Sequence, residues 1–199
     1  MKKLLEFVSQ HMADDTTRLI LDKGKWPDID MNTAVNCIES RRKLKGKVNE
    51  WYENPEMVFP LKLSAEQCSS SATGRYKAEL AEKISGQDVW SIADLTGGLG
   101  VDAWFFSQKA SKVRYNEMLT PLCDAARHNF KTLSAENIEV VNHTINQENS
   151  RDLICGYDIV YIDPARRDES GKKVSVIRSV VVGAKVADNG SVKKGMVYL

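Results

Sequence analysis

Apolar positions in the first part of the chain recur at helical spacing. Leu4, Leu5 and Val8 begin one face, and Leu19, Ile20 and Leu21 form a second short segment that Trp26-Pro27-Asp28 breaks. Asp30 or Asn32 can cap a third helix that runs through Val35 and Ile38 toward Leu44. Residues 54–63, with Pro55 and Pro60, read as an extended connector. A hydroxyl cluster then precedes a helical segment from Arg75 to Ile84, and Ser70, Ser71 or Thr73 suits its N-cap. Three consecutive serines exceed what a cap needs, so these side chains are also placed to fold over a ligand.

From Asp88 the pattern becomes α/β. A short apolar run, Val89 to Ala93, is followed by a glycine turn and a helical segment from Val101 to Ala110. A strand over Lys112–Asn116 ends at Glu117, and Thr120 is placed to cap a helix with Pro121 at its first position. That helix presents Leu122, Ala125, Ala126, Phe130 and Leu133 on one face. Ile138–Val141 reads as a third strand, and Tyr157–Ile162, after a polar stretch from His143 to Arg151, as a fourth. Strands alternating with helices predict a parallel, right-handed, doubly wound sheet. Ligands in such sheets lie at the carboxyl ends of the strands, where Asp94, Glu117, His143 and Asp163 all fall.

Composition narrows the partners. The 199 residues suit one medium domain, or one with a small appendage, and divide into a helical region over 1–62 and a ligand-binding domain over 63–199. A net charge of +1 gives no global pull toward nucleic acid or membrane. Two local basic groups stand out: Arg41, Arg42, Lys43, Lys45 and Lys47 at the end of the third helix, and Arg166-Arg167. The first suits a helix C-terminus and could also meet phosphates. Cys37, Cys68, Cys123 and Cys155 form no C-x-x-C pair, which argues against a metal knuckle or disulfide framework. No apolar run spans a membrane, and the N-terminus meets a charge too early for a signal peptide. A cytoplasmic protein with no resident metal is the expectation.

The chemistry centres on Asp94-Leu95-Thr96-Gly97-Gly98-Leu99-Gly100-Val101-Asp102. Strand, glycine turn and helix in that order make a nucleotide cradle. Gly98 to Ala103 formally matches G-x-G-x-x-A, and Glu117 lies about twenty residues on, as in dinucleotide sites. Asp94 argues against a hydride cofactor, because its carboxylate would face a pyrophosphate at close range; an acid there suits a cationic group such as an ammonium. No G-x-x-x-x-G-K-S/T sequence is present, which excludes a P-loop.

These residues resemble the class I S-adenosylmethionine-dependent methyltransferases. Asp94-x-x-x-Gly98-x-Gly100 resembles their first motif, Glu117 their acid at the end of strand two, and Asp163-Pro164 their fourth motif. Three stretches together (Leu63–Lys77, the D-L-T-G-G-x-G-V-D loop and D-P-A-R-R) resemble bacterial methyltransferase-like proteins that carry a THUMP-like domain. The resemblance implies a Rossmann-like methyltransferase sheet, S-adenosyl-L-methionine as cofactor and RNA as acceptor. Asp94 would hold the methionine ammonium, and Gly97, Gly98 and Gly100 would admit the methionine and sulfonium part. Glu117 would accept the ribose hydroxyls, and His143 or Thr144 would flank the adenine. Gln67, Ser69, Ser70 and Thr73 would lie near the carboxylate. Asp163 and the Pro164 carbonyl would accept hydrogen bonds from the target amine. Outside the family pattern, Arg166 and Arg167 could contact substrate phosphate or pair with nearby acids such as Asp168.

The sequence departs from that family twice. Ala165 and Arg166 stand where base amino-methyltransferases carry a second proline and a stacking aromatic. Only Asp168 to Lys173 separate Arg167 from the next strand-like run, too short a gap for a crossover helix. Val174–Val182 and Val192–Leu199, joined through Asp188-Asn189-Gly190, therefore read as an antiparallel hairpin on a sheet incomplete at its C-terminus. Two other functions compatible with the pattern are a cofactor-binding module without turnover and a small-molecule or protein methyltransferase.

Overall fold

The computed structural model describes residues 1–163 and two further strands, 180–186 and 192–198. Pro164, Arg166 and Arg167, with the 188–190 turn, lie outside the described residues.

The chain opens with α1 (Lys2–Gln10), α2 (Thr16–Leu21) and α3 (Met31–Leu44). Asp15 caps α2 by accepting from the Thr17 and Arg18 amides, and Asp30 caps α3 through Asn32 and Thr33. Next come α4 (Asn49–Tyr52), α5 (Lys62–Gln67) and α6 (Ser71–Ser85). Helix α6 starts four residues before the expected Arg75, because Ser70 Oγ accepts from the Thr73 amide and Gly86 closes the other end at φ 59°.

The sheet comprises β1 (Ser91–Asp94), β2 (Lys112–Asn116), β3 (Ile138–Val141) and β4 (Ile159–Ile162), linked by α7 (Val101–Ser107), α8 (Thr120–Thr132) and α9 (Ser150–Ile154). Strands β1 to β4 pair in parallel in the order β3-β2-β1-β4, and β5 (Val180–Val186) and β6 (Val192–Tyr198) add antiparallel at the β4 edge. Helix α9 begins only at Ser150, at the end of the stretch from His143 to Arg151 that reads as polar. The cap of α8 is Leu119 rather than Thr120, whose hydroxyl bonds Asn142 instead. Strand β5 is described from Val180, and residues 174–179 of the expected strand lie outside the described residues.

Alternation along the strands separates two cores. Ile92, Val113, Tyr115, Ile159 and Tyr161 pack with Ala78 and Ala81 of α6, Phe105 and Phe106 of α7, and Phe130 of α8. Ala93 and Val160 face the other way, against Leu153 of α9 and Tyr157. With both faces covered, the parallel sheet is a buried layer. The chain turns outward from β1 in both directions, through β2 on one side and β4 on the other, so the carboxyl ends of β1 and β4 form the switch point where such sheets take ligands.

The N-terminal helices dock on this unit from the α8 side. Trp51 and Phe59 enter the main core, and Ala125 of α8 joins the cluster of α1 and α3. The connector is fastened through its main chain. Arg41 of α3 donates to the carbonyls of Tyr52, Asn54, Pro55 and Met57, and the Asn129 amide pairs with both backbone groups of Val58. Arg42 donates to the Met12 and Asp14 carbonyls, and Lys47 to those of Ala65 and Glu66. The basic end of α3 is thus largely a set of internal ties; Lys43 pairs with Glu66 at 3.3 Å and Lys45 is exposed. Of the two readings of this cluster, these ties favour the helix C-terminus over the phosphate contact.

Candidate functional site

Asp94 ends β1 and is 1% exposed. Its Oδ1 accepts from the Thr96 amide at 2.9 Å, while Oδ2, buried, has no hydrogen-bond partner among the described residues. Burial pushes its carboxyl well above the ordinary carboxylate range, and Asp102 and Asp163 push the same way against Thr96 and Lys77. A buried carboxylate oxygen without a donor is expensive unless something cationic or donating completes it.

The glycine loop lies over the carboxyl ends of β1 and β2. A Cβ on Gly97 would stand 2.2 Å from the Tyr115 ring, and one on Gly100, at φ 96°, would stand 2.9 Å from Phe130. Close packing on the protein's own aromatics therefore already demands glycine at both positions. Gly98, at φ 53°, has open space where its side chain would be, with only the Thr96 carbonyl at 3.8 Å. Tyr115 donates to the Gly98 carbonyl at 2.6 Å, and the Gly97 amide donates to the Asn116 carbonyl at 2.8 Å.

Glu117 follows β2. Its carboxylate accepts from the Gly98 amide on one oxygen and from the Leu119 amide on the other, both at 2.9 Å. Each oxygen retains further acceptor capacity, so hydroxyl donors could join without displacing either amide. Beyond β3, His143 and Thr144 are exposed. The His143 backbone is clamped by the buried Asn116, which accepts from its amide, donates to its carbonyl and donates also to the Leu95 carbonyl. Gln67 and Thr73 are exposed, and Ser70 and Thr73 are joined as the cap of α6.

Asp163 follows β4, and its amide donates to the Thr96 hydroxyl at 2.7 Å, tying the fourth-strand loop to the glycine loop. Its Oδ2 accepts from Lys77 Nζ and from the Tyr161 hydroxyl, each at 3.1 Å. Lys77 also donates to Asp102 at 2.8 Å and to Ser69 at 2.9 Å. Desolvation opposes the Lys77 charge, yet Asp102 and Asp163 hold its ammonium above the ordinary lysine value. Burial, reinforced by Asp102, Asp163 and Asp94, pushes the Tyr161 hydroxyl far upward, so it stays protonated.

The structure thus gathers Asp94, Glu117, Asp163 and the glycine loop at the switch point, with Ser69 behind Asp102. It leaves Gln67 and Thr73 in solvent. Sequence reasoning assigned no role to Lys77, Asp102, Thr96, Tyr115, Asn116 or Tyr161. Lys77 and Asp102 end the Leu63–Lys77 and Asp94–Asp102 stretches, and that position is the one signal the sequence carries for them.

No protein-family model matches the chain, and no curated protein matches it. Among solved structures it is similar to a candidate methyltransferase from Porphyromonas gingivalis W83, at 29% identity and a TM-score of 0.66 over 83% of this chain and 40% of that one. It thus spans well under half the length of that protein. An rRNA methylase from Streptococcus thermophilus matches at 18% identity and a TM-score of 0.33, covering 37% of this chain and 44% of that one. Coclaurine N-methyltransferase bound to N-methylheliamine and SAH matches at 13% identity and a TM-score of 0.41, covering 79% and 50%. The four parallel strands flanked by helices form the Rossmann-like α/β fold of the Porphyromonas methyltransferase neighbour.

Proposed function

We propose that this chain is the cofactor-binding part of an S-adenosylmethionine-dependent methyltransferase. The observation that carries the reading is the buried, unpartnered Oδ2 of Asp94 at the switch point, beside a glycine loop and Glu117. An ammonium supplies the donor that oxygen lacks. Glu117, held by two backbone amides, is oriented to accept ribose hydroxyls. Gly98 offers bare backbone and open space for the methionine portion. In this reading His143 or Thr144, exposed beyond β3, flanks the adenine.

S-adenosylmethionine, when bound, supplies a methyl made electrophilic by its sulfonium. The chain's own residues then have to align the acceptor and exclude water. Asp163, fixed through its amide and Oδ2, is the group to accept a hydrogen bond from an acceptor amine, leaving the amine lone pair toward the methyl. In this reading Pro164 contributes its carbonyl, and Arg166 and Arg167 meet the substrate.

RNA as acceptor rests on the resemblance of the three stretches to THUMP-like-domain proteins. With the basic end of α3 largely engaged on carbonyls, phosphate contacts must come from elsewhere. Among the described residues no helix is long and apolar enough to cross a membrane. The test is calorimetric titration with S-adenosylmethionine, followed by labelled-methyl transfer to total RNA by the native protein and by Asp163→Ala. Absence of binding discards the reading. Binding with no transfer to RNA or small amines leaves a cofactor-binding module.

A further inference from the structure

We infer that Lys77 is a positioning residue: reaching in from α6, ahead of the sheet, it fixes the Asp163 carboxylate against Asp102 and Tyr161. The inference rests on the methyltransferase reading for what Asp163 does, and on geometry alone for how Asp163 is held. Four oxygens converge on Lys77 Nζ: Ser69 Oγ, Asp102 Oδ2, Asp163 Oδ2 and the Tyr161 hydroxyl. They come from 8, 25, 86 and 84 residues away in sequence, so the cluster joins α6, α7 and the end of β4. The Lys77 side chain is 8% exposed, Asp102 13% and Asp163 28%, so accessibility rises toward the member at the switch point.

Charge explains why a lysine is needed there. Asp102 and Asp163 share one hydroxyl donor, Tyr161, and stand near the buried Asp94. Without a cation, carboxylates this close cannot all remain ionised, and one takes up a proton. A protonated Asp163 would donate where it has to accept. A packing role predicts something different: methionine, of similar length and volume, would replace Lys77 with little loss. Buried ion pairs are also poor stabilisers compared with apolar residues of similar volume, which favours a specifying role here. An ammonium so surrounded carries no lone pair, so Lys77 is neither nucleophile nor base.

The test compares the native chain with Lys77→Met and Lys77→Arg. The aspartate carboxylates are followed by carbon-13 NMR across pH, with resonances assigned through Asp163→Asn and Asp102→Asn. In Lys77→Met, the Asp163 carboxylate should titrate about one pH unit or more above its native midpoint, and Lys77→Arg should return it. Methyl transfer to total RNA should fall by about a hundred-fold in Lys77→Met, with S-adenosylmethionine affinity within about three-fold and partial rescue by arginine. An unmoved Asp163 midpoint, or parallel loss of affinity and turnover, would overturn the inference. If the native chain binds no S-adenosylmethionine, the methyltransferase reading fails while the titration still decides how Asp163 is held. Should Lys77→Met not fold, the Lys77 Cε resonance is titrated in Asp163→Asn: its midpoint should drop, and an unchanged midpoint counts against the link.

Discussion

Replacing Asp94 by asparagine should make the ligand-free protein more stable while abolishing ligand binding. In the folded chain Asp94 is 1% exposed, one oxygen accepts a single amide, and the other has no partner among the described residues. Its folded value lies well above the ordinary 3.8, through burial first and then Asp102 and Asp163. The folded state therefore holds this proton more tightly than the unfolded chain. The stability contributed is complete below about pH 4 and declines as pH climbs toward the folded value. At neutral pH the side chain is a net penalty. Asparagine keeps the Thr96 contact and leaves an unpartnered amide rather than a desolvated acid. An unsatisfied buried polar group costs about 1–3 kcal/mol, and more when charged, so the exchange should stabilise by roughly 1–2 kcal/mol. Urea unfolding at about pH 5 and about pH 8 reads this directly, the gap widening at the higher pH. With S-adenosylmethionine at a hundred times its Kd the native protein gains about 2.7 kcal/mol, and the variant nothing. A variant less stable at both pH values, or one stabilised by ligand as much as the native chain, would refute the reasoning.

Other positions give sharper local contrasts. Gly97→Ala forces a Cβ to within 2.2 Å of the Tyr115 ring and endangers the Tyr115–Gly98 hydrogen bond, for a loss of about 2–3 kcal/mol. Gly98→Ala meets only the strain of its φ of 53°, about 1 kcal/mol; equal urea midpoints for the two variants would contradict the packing argument. Glu117→Gln removes a charged acceptor and should weaken S-adenosylmethionine binding by about ten- to a hundred-fold in calorimetry, a loss of roughly 1.5–3 kcal/mol. An unchanged Kd would remove Glu117 from the site. Arg41→Met strands four carbonyls and should cost about 3–5 kcal/mol, whereas Lys45→Met at the exposed neighbour should stay within about 0.5 kcal/mol. Comparable loss of stability in both variants would mean the connector is not held by Arg41.

What could be read from sequence followed from how local the determinant was. Strands β2 and β3 fall where the apolar runs place them, because each is bounded by polar residues that leave no room to slide. The α3 cap was readable for the same reason, since Asp30 bonds amides two and three residues on. Thr120 misled because its hydroxyl has a partner at Asn142, twenty-two residues away, that local pattern cannot show. The basic end of α3 left a helix terminus and a phosphate contact both open because composition shows charge and not direction; Arg41 points inward at four carbonyls. Lys77 was invisible on the same principle, as a helical lysine is normally solvated. Its acidic partners lie 25 and 86 residues downstream. The carboxylates at the strand ends were legible because topology alone brings them together.

The connector between Tyr52 and Val58 is gripped at main-chain groups that all amino acids share, and its far end is anchored by the buried side chains of Met57 and Val58. Arg41 holds four of its carbonyls, His128 meets the Glu56 carbonyl at 2.7 Å, and Asn129 pairs with the amide and carbonyl of Val58. Three side chains on two helices thus fix the path of its exposed part without consulting identity there. Related chains should therefore drift freely at Glu53 and Glu56, both solvent-facing or nearly so, while keeping Arg41 and Asn129. The exposed positions of such a linker can be rewritten by neutral change, with their geometry inherited from elsewhere in the sequence.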